Sequence, residues 1–182
     1  MNESPGLTPS SPDREIGRYD LLARLLHWVF AIGIIYASIV GYSLGFIGDH
    51  QLHDALAHLN MSLATILLVL LPVRLLWRFR RIEPPQLAMD ARQQKIAQLV
   101  HALLYFTMAW VLVSGFLMVA HSYSFFGLFD IPTVFEAGGA THVFFQLHRV
   151  GCALLAGLVG LHLLGVIKHL VIHRTNILRR ML

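Results

Sequence analysis

Four long apolar runs joined by short polar connections predict an all-α integral membrane protein built as a four-helix bundle. Composition agrees: 56% of the 182 residues are hydrophobic and 13% are charged, against roughly 25% charged in an average soluble domain. The basic residues gather at the ends of the runs rather than in a patch. The net charge of +4 therefore reads as membrane topology, with a lipid bilayer as partner and no nucleic acid.

Residues 1–17, polar and rich in Pro and Ser, read as a disordered tail ahead of one membrane domain over 18–182. That tail lacks a basic stretch running into a short apolar core, so no cleavable signal peptide is expected. The spans are placed at about 21–47, 56–77, 96–120 and 143–172. The first carries only Arg24 and His27 near its start, and GDHQLHD follows as a polar turn. The second ends in RLLWRFRR, with Pro72 near that end as a candidate kink. Glu83 to Lys95 is a hydrophilic connection. The third span is apolar apart from His101 and Ser114, and residues 121–142, with FFGLFDIP and EAGGA, form the longest internal loop. Cys152, the single cysteine, lies inside the fourth span and reads as a small apolar residue.

Thirteen of the fourteen Lys and Arg side chains fall before the first span, between the second and third, or after the fourth. Only Arg149 lies on the other side. The positive-inside rule then puts both termini in the cytoplasm, and an even number of spans puts them on one side.

Eleven histidines are many for so apolar a chain. His50, His53, His121, His142, His169 and His173 fall in loops or at helix ends and read as solvated. His148 and His162 are 14 residues apart in the fourth span. That is nearly four turns with a phase error of roughly 40°, so both leave one helix face about 21 Å apart. Depth then pairs His58 with His148 near the outer side, and His27 with His162 near the inner side. Paired imidazoles from facing helices suit six-coordinate haem b, whose filled axial positions favour electron transfer. Gly151, Gly157, Gly160 and Gly165 would clear side-chain bulk for a porphyrin face. Any one such histidine is equally consistent with a hydrogen bond to a neighbouring helix. Zinc fits poorly, because these side chains are spread over two depths without Cys or carboxylate partners.

The stretches YDLLARLLHW, AHLNMSLATILLVLLPVRLLWR, AQLVHALLY, LHRVGCALLAGLVGLH and TNILRRM together resemble the bacterial cytochrome b561 family of small di-haem membrane proteins. They are also similar to the haem-bearing subunits of membrane formate dehydrogenases and nickel–iron hydrogenases. The resemblance implies two haems b with His27, His58, His148 and His162 as iron ligands, and quinone-linked redox chemistry. In some relatives electrons pass from superoxide on the outer side to ubiquinone. Many relatives carry an acidic residue where this chain has Arg149.

Three other side chains are candidates for cofactor contacts. His101, one turn before Tyr105 on the same face, suits a haem propionate, a quinone carbonyl or a bond to another helix. Arg74, like Arg78, suits a propionate of the inner haem, and Arg149 one of the outer haem. No nucleophile–base pair, phosphate loop or carboxylate pair lies within the spans. The reading is electron transfer between an outer-side donor or acceptor, superoxide being one candidate, and a membrane quinone. Two alternatives are a haem-bearing anchor serving a separate dehydrogenase or hydrogenase, with FFGLF as its partner surface, and a small metal or proton transporter. The transporter would ordinarily need intramembrane carboxylates.

Overall fold

The computed structural model describes residues 18–81, 90–172 and 177–182. The expected tail over 1–17, most of the Glu83–Lys95 connection, and His173 and Arg174 lie outside the described residues. Four helices are long and apolar enough to cross a membrane: α1 (Leu21–Ser43, continued by a 3-10 turn to Phe46), α2 (His50–Arg80), α3 (Ala91–Leu117) and α4 (Gly139–Val171). A two-stranded antiparallel hairpin, β1 (Tyr123–Phe125) and β2 (Phe129–Ile131), stands between α3 and α4. Residues Ile177–Arg180 form a second 3-10 turn.

The helices α2, α3 and α4 begin ahead of the expected apolar stretches, and α2 also ends beyond its own, whereas α1 and α3 stop a few residues short. The Asp49 carboxylate accepts from the Leu52 N–H at 2.8 Å, so α2 is capped there and GDHQLHD supplies its first turn. EAGGA similarly supplies the start of α4. At 31 and 33 residues, α2 and α4 are about 46 and 50 Å long, whereas the hydrocarbon core is about 30 Å thick. Apolar patterning marks the part of a helix that meets lipid. Its caps mark where it ends. The loop over 121–142 is partly ordered as the hairpin, with Tyr123 and Thr65 hydroxyls joined to hold β1 on α2.

The core runs through Phe30, Leu67, Leu71, Met108, Val111, Leu112 and Leu155. Many other large apolar side chains, among them Leu25, Ile32, Ile39, Val69, Leu164 and Ile167, face outward. On a spanning bundle that is the surface offered to lipid. Neighbours in sequence pack in turn, α1 on α2, α2 on α3 and α3 on α4. The closest pairing is α3 with α4, and no comparable packing joins α4 to α1 or α2.

One tie across that separation comes from the C-terminal segment. The Trp28 indole N–H donates to the Met181 carbonyl at 2.8 Å, and the Tyr19 N–H to the Arg180 carbonyl at 3.1 Å. Arg180 and Arg81 both lie over the Tyr19 ring. Asp20 caps α1 through the Ala23 N–H and also accepts from the Trp77 indole at 2.8 Å, joining α1 to α2. Slight burial opposes ionisation of Asp20, but these hydrogen bonds and the Arg81 charge outweigh it and hold the carboxyl below its ordinary 3.8. Its stabilising contribution is present above that value and fades as pH falls through the lower folded-state one. Asp20→Asn should therefore remove part of the acid limb of the thermal-melting profile. Trp28→Phe should cost about 1 kcal/mol at neutral pH, read as a lower melting midpoint.

Candidate functional site

In an apolar medium a neutral imidazole needs a partner for each ring nitrogen, so histidine contacts reveal which nitrogen is free. His148 is the best defined. Its Nδ1 lies 3.0 Å from the Val111 carbonyl of α3, and since a carbonyl only accepts, Nδ1 carries the proton. The Ser114 hydroxyl is 3.4 Å from the same nitrogen. The Nε2 lone pair is left for another group, with the Cys152 thiol 3.3 Å away. Cys152 thus has a contact beyond the small apolar role expected of it. An imidazole held through Nδ1 by a backbone carbonyl, with Nε2 free, is in the state a metal-ligating histidine requires.

The backbone approach on α3 makes this possible. A Cβ on Gly115 would come within 2.9 Å of His148 Cε1, so any larger residue would displace the ring. Gly151 has a different role from the one expected. A Cβ there would meet Val111 Cγ2 at 3.0 Å and Trp110 Cδ1 at 3.3 Å, so this glycine lets α3 and α4 close up rather than making room for a porphyrin. Gly157, Gly160 and Gly165 face open space.

The second grouping lies at the other end of α4. His27, His101 and His162 are within electrostatic range of one another. The His101 and His162 rings are 5.3 Å apart, centre to centre. Arg74 places a terminal nitrogen 3.5 Å from His27 Nδ1, at the limit of hydrogen bonding. Its guanidinium lies over the rings of Phe30 and Tyr105, at 4.9 and 5.4 Å, and Arg78 covers Tyr105 at 4.6 Å. The Arg74 Nε is buried without a hydrogen-bond partner. Such a cation calls for an anion.

His58 opens into a recess under the hairpin, lined also by Ser62, Ser124 and Phe126. Arg149 is exposed and lies 5.8 Å over the Phe145 ring of its own helix. The structure therefore gathers His27, Arg74, His101 and His162 at one end, and gives His148 and His58 separate surroundings. Sequence reasoning missed Val111, Gly115 and Ser62, whose contacts join positions more than thirty residues apart. It also missed Tyr36 and Asn60, whose buried Oη and Oδ1 have no partner. Among the described residues no three His, Cys, Asp or Glu side chains converge as a metal site. Two axial ligands per iron do not need such a cluster.

A family model for prokaryotic cytochrome b561 matches residues 18–182. The chain belongs to the prokaryotic cytochrome b561 family. No curated protein matches the sequence significantly. The chain is thus a multi-pass bacterial membrane protein of haem b electron transfer. The residues present fit that group: the His148 Nε2 lone pair is met by the weakly donating Cys152 thiol, Arg74 is a half-buried cation that would suit a propionate, and α4 stands off the two helices that carry His27 and His58. When bound, haem b supplies one-electron chemistry. Gly115→Ala should push His148 off its Val111 anchor and alter the visible and low-temperature EPR spectra of the purified cytochrome without preventing membrane insertion.

Proposed function

We propose that the protein passes electrons between a small donor or acceptor at the outer membrane face and a membrane quinone, ubiquinone being the candidate, through two haems b. The supporting observation is the His148 imidazole, fixed by the Val111 carbonyl, with its Nε2 lone pair met by the weakly donating Cys152 thiol. In this reading His58 and His148 bind one haem, and His27 and His162 the other, with both termini cytoplasmic. An imidazole bound through Nε2 keeps its proton on Nδ1 and gives Arg74 no acceptor. The Arg74 guanidinium would then be available to hold a propionate. Its positive charge favours the reduced, less positive iron and so raises the potential of that haem.

With superoxide as donor, two superoxide anions lose one electron each and leave as dioxygen. A quinone gains both electrons and two protons to become a quinol. The chain would then act as a quinone-linked oxidoreductase. Its own part is to hold ligands, orient the cofactors and exclude water. His101, beside His162, is placed to hydrogen-bond a propionate or quinone carbonyl at the inner end. Arg149, exposed near the outer end, would attract an anion and is the candidate propionate partner on that side.

A second reading has one specific observation in its favour. The hairpin exposes Phe126, Leu128 and Phe129, a surface suited to a partner protein that delivers electrons from a separate dehydrogenase or hydrogenase. Copurification of such a subunit, with no quinone reduction by the isolated cytochrome, would favour it.

A dithionite-reduced minus oxidised spectrum with pyridine-haem quantitation should give two haems b per chain. His148→Ala and His162→Ala should each remove one, and retention of both haems in either variant would refute the pairing. Arg74→Gln should lower the potential of one haem by tens of millivolts in a redox titration and leave the other unmoved. Arg149→Glu should slow haem reduction by superoxide, and an unchanged rate would exclude it as the anion-attracting residue.

A further inference from the structure

The hairpin carries a strained residue where it meets α2. Phe126 sits at φ +50°, in the left-handed region, beside Gly127 at +73°. A bulky side chain rarely adopts that conformation, whereas glycine does so without strain. Such outliers persist only when their surroundings enforce them, and they concentrate at functional sites. Here the hairpin turn closed by the Leu128 N–H on the Phe125 carbonyl at 2.9 Å requires positive φ at both central residues, and Ser62, whose side chain is fully buried, anchors it from outside. The Phe126 N–H donates to Ser62 Oγ at 3.1 Å, and that hydroxyl donates in turn to the His58 carbonyl at 2.8 Å. The Ser124 carbonyl, at 3.4 Å, is its alternative acceptor. One serine therefore ties the tip of the hairpin to the helical turn that carries His58.

The side chain explains why the position is not glycine. Phe126 and His58 both line the recess of about 230 Å³ between hairpin and helix. That space has room for several water molecules or one small molecule of about benzene size, and the Phe126 ring forms part of its wall. We infer that Phe126, held by Ser62, is a specificity-determining residue: it restricts the His58 end to small diffusible redox partners and keeps bulky ones away. The inference rests on the reading that His58 binds a haem. It adds a size filter, set by one aromatic ring, to that site.

The full-length cytochrome, purified with its haems, allows a direct test by stopped-flow spectroscopy with two probes of different size. Ferricyanide, a bulky trianion, takes one electron from the prereduced protein and becomes ferrocyanide. The small radical anion supplied by dithionite gives one electron to the oxidised protein. Phe126→Gly should speed ferricyanide oxidation severalfold at the haem that His58→Ala removes, with the small-anion rate unchanged and the melting midpoint maintained or raised as strain is relieved. Ser62→Ala should show the same acceleration with a lower midpoint, and Ser62→Thr should restore the slow rate. An unchanged ferricyanide rate in Phe126→Gly, equal acceleration at both haems, or a parallel rise with the small anion would each overturn the filter. The His58→Ala protein keeps two failures apart. Full haem retention there would remove the ligand assignment, whereas loss of one haem beside an unchanged Phe126→Gly rate would remove the filter alone.

Discussion

A histidine placed in hydrocarbon must have both ring nitrogens engaged, and that requirement organises the α3–α4 half of the molecule. His148 meets it through the Val111 carbonyl, which lies in reach only because Gly115 and Gly151 let the two helices approach closely. The same contact selects the tautomer and leaves the Nε2 lone pair to the Cys152 thiol, 3.3 Å away, or to a ligand that displaces it. Packing and chemistry are thus joined at one point. A methyl group added at Gly115 alters the ligand as well as the helix pair.

The two ends of the bundle satisfy the requirement differently. Around His27 and His162 the neighbours are cationic or aromatic: Arg74, Arg78, His101 and Tyr105. The half-buried Arg74 guanidinium lies against aromatic faces, and in the proposed reading a haem propionate would complete its compensation. Around His58 and His148 the neighbours are hydroxyls, a thiol and backbone carbonyls. An end rich in fixed positive charge favours an added electron more than a neutral one does. In the proposed reading, that asymmetry would raise the potential of a haem held at the Arg74 end.

Connections outside the membrane complete the arrangement. Because α4 has little direct packing against α1 and α2, their spacing depends on shorter elements. At one end the C-terminal turn reaches Trp28, next to His27. At the other, the hairpin reaches Ser62, one turn after His58. Each strap lands beside a histidine proposed to bind haem.

Much of this was legible in the sequence, because lipid imposes simple rules on composition. Apolar runs of spanning length, basic residues at their ends and a 14-residue histidine spacing depend only on helix geometry and solvent, so the four-helix architecture and the one-sided pair His148 and His162 followed directly. The helix ends did not follow, since Asp49 and Gly138 cap α2 and α4 within polar segments that hydropathy passes over. Nor did the side-chain partners. Val111 with His148, His101 with His162 and Ser62 with Phe126 join distant positions, and no local periodicity encodes which neighbour a helix face will meet. What the sequence determined by itself was the class of the protein, because lipid constrains composition directly. What only the tertiary structure decided was which nitrogen of His148 is bound by protein, because that depends on the Val111 carbonyl that another helix brings to it.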